Sequence, residues 1–306
     1  MHHFTRFITI YFISLIFVSK IQAQSLPNTN IFSFDMDRFG DQYEFKNAKF
    51  LTGFNLTGYN NQPQWVNNNE LYLSVMTPRD TFQTDIYSLS FLNNVLTRVT
   101  ATAESEYSPT LTPDRKNFSC VRVDVGRLPA QRLWMYPIDR TGVGRDLLPL
   151  HQSIGYHAWL TDKKVALFIL DGNSNYLKIV NVEDQSSIQL MTGIGRSFGK
   201  LPDGKLAFIQ KATAQTWYIK SLDPISYSTD IVIQTLTGSE DFVILPDGTV
   251  FMSAGSKLYT YKVGDALKEW REVMDFSKYG IFNIKRLSIN RDQNRIALVN
   301  DITRKR

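Results

Sequence analysis

A short motif, Leu-Pro-Asp-Gly, occurs twice in the chain, at residues 201–204 and 245–248, and each copy separates two apolar stretches. Pro presets φ, Asp closes a turn with its side chain, and Gly supplies a positive φ, so the motif is typical of a tight β-hairpin. The two aspartates, Asp203 and Asp247, lie 44 residues apart. A hairpin that returns at this interval predicts a repeat architecture in which each unit is one supersecondary element.

Less complete copies of the hairpin motif recur along the chain. The turn residues of all six copies are separated by 46, 48, 41, 44 and 45 residues. Each unit holds four strand-like runs that are rich in β-branched and aromatic residues. A period of about 40–45 residues with four strands per unit is typical of a propeller blade. The turn residues are Asn68, Asp114, Asp162, Asp203, Asp247 and Asp292.

The sixth copy, at residues 284–300, has only one hairpin, and the strand-like segments at residues 29–50 have no partner nearby. These two half-units together make one blade, which closes a ring by hydrogen bonds between its ends. The sequence therefore predicts an all-β fold: a six-bladed β-propeller of four-stranded antiparallel blades, with the last blade closed by the N-terminal strands. An irregular β-sandwich is the alternative. The expected blades are about 62–100, 107–150, 155–192, 196–237, 240–276, and 284–300 with 29–50.

The first 23 residues carry the features of a signal peptide. Arg6 gives a charged start, residues 7–18 form an apolar run, and Ala23 ends a small-residue cleavage pattern. A retained membrane anchor is the alternative, although the apolar run is short against the roughly 20 residues of a spanning helix. We therefore expect residues 24–306 to form the single mature domain, exported to the periplasm or secreted, with no stable membrane insertion after cleavage.

Charge and cysteine content argue against a nucleic-acid-binding protein and against a disulfide-stabilised fold. Removal of Arg6 and Lys20 lowers the formal net charge from +5 to +3, and the remaining cations are scattered, so nucleic-acid binding is not expected. Cys120 is the one cysteine, which leaves an exported chain without an internal disulfide. We expect Cys120 to be a small packed thiol, and packing between sheets to hold the fold together.

The repeats resemble those of TolB-type propellers, which carry a Ser-Pro-x-Trp-Ser-Pro-Asp-Gly type of motif. Ser-Pro-Thr-Leu-Thr-Pro-Asp-Arg at residues 108–115 is the fullest match, and Leu-Pro-Asp-Gly at residues 201–204 and 245–248 keeps part of it. The resemblance covers nearly the whole mature chain and implies the propeller fold. It implies a standalone propeller, because no room remains for the N-terminal domain of TolB itself.

A propeller presents its innermost strands to the axis, where ligands generally sit. In each unit, the residue six positions before the turn residue begins an inner strand. His157 and Glu240 lie next to two of these six residues in the sequence. Amide, hydroxyl, phenol, acid and base groups together suit hydrogen bonding to a peptide or small polar ligand, although plain hydration of the channel explains them as well. The candidate ligand-binding residues are Gln62, Ser108, Tyr156, His157, Ser197, Glu240, Asp241 and Arg286.

Enzymatic alternatives find less support in the sequence. A calcium-dependent hydrolase of the lactonase kind would use oxygen ligands on the axis, for which Glu240, Asp241, Asn61 and Asn283 are available, but Arg286 would oppose the cation. A zinc site would rest on His157 and His151, and we expect His151 to be exposed in a connection. No Gly-x-Ser-x-Gly nucleophile motif occurs.

The sequence thus favours a non-catalytic binding or scaffold protein of the cell envelope over a calcium-dependent hydrolase. We expect no catalytic residues, no metal and no cofactor. The expected partner is a protein or peptide of the envelope, and the expected state is a monomer.

Overall fold

The computed structural model describes residues 26–77, 79, 83–125, 130–172 and 174–303. The predicted signal peptide, residues 1–23, lies outside these residues. Within them the chain forms strands almost throughout, and a 3₁₀ turn at Ser277–Tyr279 is the one helical element that the described ranges contain. No helix in these ranges has the length and apolar character needed to cross a lipid bilayer.

Six antiparallel sheets of four strands each are arranged as blades, and the first strand of each blade contacts the first strands of its neighbours. This places the first strands innermost. The N-terminal strands are β1 (Thr29–Phe39) and β2 (Gln42–Phe50). Blade 1 contains β3 (Tyr59–Asn67), β4 (Glu70–Met76), β5 (Asp85–Ser90) and β6 (Leu96–Arg98). Blade 2 contains β7 (Ser105–Leu111), β8 (Asn117–Val123), β9 (Gln131–Pro137) and β10 (Arg145–Asp146).

The later blades follow the same order from the axis outward. Blade 3 contains β11 (Ile154–Trp159), β12 (Lys164–Ile169), β13 (Tyr176–Asn181) and β14 (Ser187–Thr192). Blade 4 contains β15 (Ile194–Lys200), β16 (Leu206–Lys211), β17 (Trp217–Leu222) and β18 (Thr229–Gln234). Blade 5 contains β19 (Phe242–Ile244), β20 (Thr249–Ala254), β21 (Lys257–Lys262) and β22 (Arg271–Asp275). Blade 6 contains β23 (Ile284–Ile289) and β24 (Arg295–Asp301), followed outward by β1 and β2.

Blade 6 joins the two ends of the chain. Strand β1 pairs with β24 over seven residue pairs, from Thr29 opposite Asp301 to Asp35 opposite Arg295. The backbone N–H of Asn28 also donates to the Thr303 hydroxyl at 3.0 Å. The prediction of a six-bladed propeller whose last blade is closed by the N-terminal strands is therefore confirmed.

The hydrophobic core is divided among the seams between blades, because each sheet buries both of its faces against its neighbours. Six apolar clusters lie in the six seams, each built from two adjacent blades. In the seam between blades 5 and 6, for example, the rings of Phe34 and Phe276 lie 4.8 Å apart. Cys120 is fully buried in the seam between blades 1 and 2, as expected for a packed thiol.

The seam between blades 1 and 2 also buries a carboxyl group. Glu106 has no exposed surface and accepts a hydrogen bond from the Thr102 hydroxyl. Arg122, which faces Glu106 across the strand pair, forms ion pairs with Glu104 and Asp124 instead. Burial raises the pKa of Glu106 to about 7, because desolvation penalises the charged form more than the Thr102 hydrogen bond stabilises it.

This buried carboxyl predicts a pH-dependent stability. The folded chain holds the Glu106 proton up to about pH 7, whereas the unfolded chain releases it near its ordinary value of 4.5. Stability should therefore fall as the pH rises through that interval, by at most about 3 kcal/mol. Glu106→Gln should raise the free energy of unfolding by about 2 kcal/mol at pH 8 and change it little at pH 4.

Urea denaturation at the two pH values measures this effect. Glu183→Gln is the control, because Glu183 is an exposed carboxylate paired with Lys163 and should leave the pH dependence intact. Equal effects of Glu106→Gln at both pH values would contradict the assignment.

Candidate functional site

Irregular strand pairing near the start of the inner strands determines which side chains point toward the propeller axis. Strands β3, β7, β11, β15 and β23 all shift register there, as in a β-bulge. Gln62 and Ser108 lie in two of these bulges with positive φ values of 54° and 56°. In the sixth inner strand, β19, pairing begins at Phe242, directly after Asp241. Because a bulge interrupts the alternation of side chains, it re-aims residues that would otherwise face a neighbouring blade.

One cavity of about 320 Å³ lies on the axis, toward the end at which the inner strands run into their first hairpin turns. We call it the turn-side cavity. Seven of the eight predicted residues line it, at least one from each blade: Gln62, Ser108, Tyr156, His157, Ser197, Asp241 and Arg286.

A cluster of charged groups crosses the axis at the floor of this cavity. The Asp241 carboxylate accepts hydrogen bonds from the guanidinium groups of Arg196 and Arg286, the second at 3.2 Å. Nη2 of Arg286 also donates to the Tyr156 hydroxyl at 3.0 Å, and its guanidinium lies 5.2 Å from the centre of that ring. These residues come from blades 3 to 6, so the cluster joins opposite sides of the ring. Below, Arg196, Asp241, Arg286 and Tyr156 are called the axial cluster.

A second cavity, of about 470 Å³, lies at the other end of the axis, where the inner strands begin. We call it the start-side cavity. Arg196, Asp241 and Arg286 line both cavities, which shows that the axial cluster separates them.

Glu240 is the one predicted residue that lines the start-side cavity without also lining the turn-side cavity. Its carboxylate accepts from the backbone N–H of Arg196 at 2.7 Å and pairs with Lys211 at 3.1 Å. Gly195 permits this approach, since a Cβ there would lie 2.8 Å from a Glu240 oxygen and 2.7 Å from Cβ of Ile209. Both acidic residues of the predicted set are thus paired with cations.

Uncharged members of the set link neighbouring blades. The side-chain oxygen of Gln62 accepts from the backbone N–H of Ser108 at 2.7 Å, which joins blades 1 and 2. The Ser197 hydroxyl accepts from the backbone N–H of Phe242 at 3.4 Å, which joins blades 4 and 5. The buried Ser108 hydroxyl, in contrast, has no hydrogen-bond partner within the part of the chain that the structure describes.

The two histidines are both buried. His157 lines the turn-side cavity, but its Nε2 lies 2.7 Å from the Ser119 hydroxyl, in the seam between blades 2 and 3. Desolvation lowers the pKa of His157 to about 3, so the ring is neutral at physiological pH. The expectation that His151 is exposed was wrong: it is 8% exposed, because Nε2 contacts the Gln185 carbonyl and Nδ1 contacts Lys178 at 3.1 Å.

Sequence reasoning missed Arg196. It directly precedes Ser197, so strict alternation would place it on the opposite face of β15, away from the axial set. The register shift between Ile194 and Phe198 removes that alternation and brings Arg196 to Asp241. A cation beside a predicted axial residue was the only signal in the sequence.

Across the described ranges, no group of three or more His, Cys, Asp or Glu side chains is placed to hold a metal ion.

No family model matches the sequence, and no curated protein matches it either. Solved structures do. A putative TolB from Agrobacterium tumefaciens shares 12% identity, covers 91% of this chain and 99% of its own, and has a TM-score of 0.67. TolB from Acinetobacter baumannii shares 9% identity over 79% of this chain and 66% of its own, with a TM-score of 0.57.

An enzyme is also among the similar structures. An oligogalacturonate lyase in complex with manganese shares 12% identity, covers 91% of this chain and 98% of its own, and has a TM-score of 0.51. At such identities the likeness concerns the fold alone. The chain has the fold of a TolB-type six-bladed β-propeller.

Proposed function

We propose that this protein is an exported, non-catalytic binding or scaffold protein of the cell envelope, with its ligand in the turn-side cavity. The expected ligand is a protein segment, a peptide or a small polar molecule. The observation that carries the proposal is the convergence of one residue from each blade on a single cavity with a charged floor. The TolB-type fold supports a binding role of this kind.

The composition of the cavity fits recognition. Its floor holds charged groups fixed by neighbouring blades, and Gln62 and Thr110 add amide and hydroxyl groups on one side. A few fixed polar groups in a concave surface give orientation and specificity to a bound ligand. Because most of these groups are already held by neighbours, little conformational entropy is lost on binding.

A pull-down from envelope extract tests this proposal. The wild-type protein should retain a partner, and the double variant Asp241→Asn/Arg286→Gln should lose most of it. Lys257→Gln is the matched control, because Lys257 pairs with Glu272 on an outer strand pair, between β21 and β22. Circular dichroism verifies that each variant is folded. Undiminished retention by the double variant would reject an axial binding site.

A calcium-dependent hydrolase is the second candidate. One observation favours it: the four oxygen-bearing residues expected for such a site, Asn61, Glu240, Asp241 and Asn283, all line the start-side cavity. However, Lys211 pairs with Glu240, and two arginines pair with Asp241, so cations already occupy the carboxylates and would repel a divalent ion. A melting temperature that calcium raises and EDTA lowers would favour this candidate, whereas an unmoved one would remove it.

A further inference from the structure

The axial cluster has more donors than acceptors. Arg196 and Arg286 make three hydrogen bonds between their guanidinium groups and other side chains, two to Asp241 and one to Tyr156. Nε of Arg196 is buried without a hydrogen-bond partner among the described residues. Guanidinium groups carry several N–H donors in a planar fork that matches a carboxylate. The Glu240 carboxylate lies 3.9 Å from Nε of Arg196, beyond hydrogen-bond distance, so the two guanidinium groups hydrogen-bond to one carboxylate and keep N–H donors for a second.

The turn-side cavity is also positively charged. Arg196, Arg286 and Lys200 contribute three cations to its lining and Asp241 one anion, a formal charge of +2. Neutral His157 adds none. Lys200 is exposed, and no ion pair involves it in the described part of the chain. A positively charged cavity attracts anionic ligands, and its low-dielectric walls concentrate the electric field inside it.

The walls above this floor differ from side to side. Blades 1 and 2 supply amide and hydroxyl groups, including those of Gln64 and Thr110. Blades 5 and 6 supply half-buried apolar residues, including Val243 and Leu287. A ligand with an anionic end would therefore place polar groups along one wall and an apolar group along the other.

We propose that the turn-side cavity takes a carboxylate-terminated ligand whose adjoining part is apolar, with the carboxylate on Arg196 and Arg286. This inference rests on the proposed binding function and names the chemistry of its ligand. The volume of about 320 Å³ accommodates the end of such a ligand. Arginine forks bind carboxylates through paired, charge-assisted hydrogen bonds. The C-terminal residue of a peptide and a free alkanoic acid share this chemistry.

Isothermal titration with three probes tests the proposal: acetyl-Ala-Ala-Leu as the free acid, the same peptide as its C-terminal amide, and hexanoate. The free acid should bind at least about tenfold more tightly than the amide, since the amide lacks the charge. Arg286→Gln and Lys200→Gln should each weaken binding of the acid. Lys200 is exposed, so its substitution should not disturb folding.

Asp241→Asn separates ligand binding from a merely structural role. It removes the anion that competes for both guanidinium groups, so the free acid should bind more tightly to this variant than to the wild type, while the amide should show no gain. Tighter binding of the peptide acid than of hexanoate would identify a peptide terminus as the source of the carboxylate, and equal binding would identify a small organic acid. Either result supports the proposal.

Two results would overturn the proposal. The first is absence of binding by both acids to the wild-type protein. The second is equal binding of acid and amide, which would reject the carboxylate but preserve an axial binding site. The pull-down tests the proposed binding function independently, because it uses none of the three acid or amide probes.

Discussion

Deleting residues 26–51 should abolish cooperative folding of this protein. The deletion removes β1 and β2, and with them four buried apolar side chains, those of Ile31, Phe34, Met36 and Phe45. Each contributes about 2 to 3 kcal/mol on burial, so their sum is comparable to the whole stability of a typical domain. The deletion also exposes the edge of β24 and leaves blade 6 with only its two inner strands, so that the ring of blades is open at its outer side. Thermal unfolding followed by circular dichroism should show no cooperative transition.

A circular permutant provides the control. Since Asn28 and Thr303 are hydrogen-bonded to each other, a short linker from 303 to 28 should close the chain without strain. New ends placed between Asn93 and Asn94, in the exposed turn between β5 and β6, move the break in the chain to the outermost strand of blade 1, where β6 is held by its pairing with β5. We expect this permutant to unfold cooperatively, with a melting temperature within about 8 °C of the wild type. A folded deletion variant, or an unfolded permutant, would contradict the proposed role of the closing blade.

Asp241→Asn should lower the free energy of unfolding by about 2 to 4 kcal/mol. The Asp241 side chain is 9% exposed and neutralises Arg196 and Arg286, whose side chains are 29% and 14% exposed. Without the carboxylate, two half-buried cations would face each other across the axis. Because both arginine side chains are partly exposed, solvent screens their charges, and we expect a smaller loss than for a fully buried pair. Chemical denaturation measures the change.

Asp247→Asn is the matched control. Asp247 also lies between two cations, Arg38 and Lys262, but at the rim, where its side chain is 33% exposed. Solvent screens charges there, so we expect a loss of only about 1 kcal/mol. A loss at Asp241 no larger than the loss at Asp247 would show that the axial cluster contributes no more than a surface pair.

Most of the fold was predictable from the sequence because the signals are local. Pro-Asp-Gly at residues 202–204 and 246–248 marks a turn by its own backbone preferences, and alternating apolar residues mark strands on either side. The incomplete sixth unit showed where the two ends meet. The inner strand of blade 1 begins at Tyr59, three residues before the expected start. Tyr59 is followed by Asn60 and Asn61, polar residues that no strand pattern distinguishes from a loop.

The site was less predictable because its geometry depends on contacts distant in sequence. Counting back from each turn residue found one axial residue per blade, since the hairpins share a length. It could not find Arg196, because a bulge is a property of the strand pair and leaves no mark in one strand alone. His151 was misjudged for the same reason: its burial is created by Lys178 and Gln185, in a different part of blade 3.

The central claim is that residues from separate blades act together in one charged cluster on the axis. A double-mutant cycle on Asp241→Asn and Arg286→Gln tests it most directly, because it isolates the interaction between side chains 45 residues apart. We predict a coupling free energy of about 1 to 3 kcal/mol. Additive effects, with a coupling indistinguishable from zero, would contradict the existence of the cluster in solution.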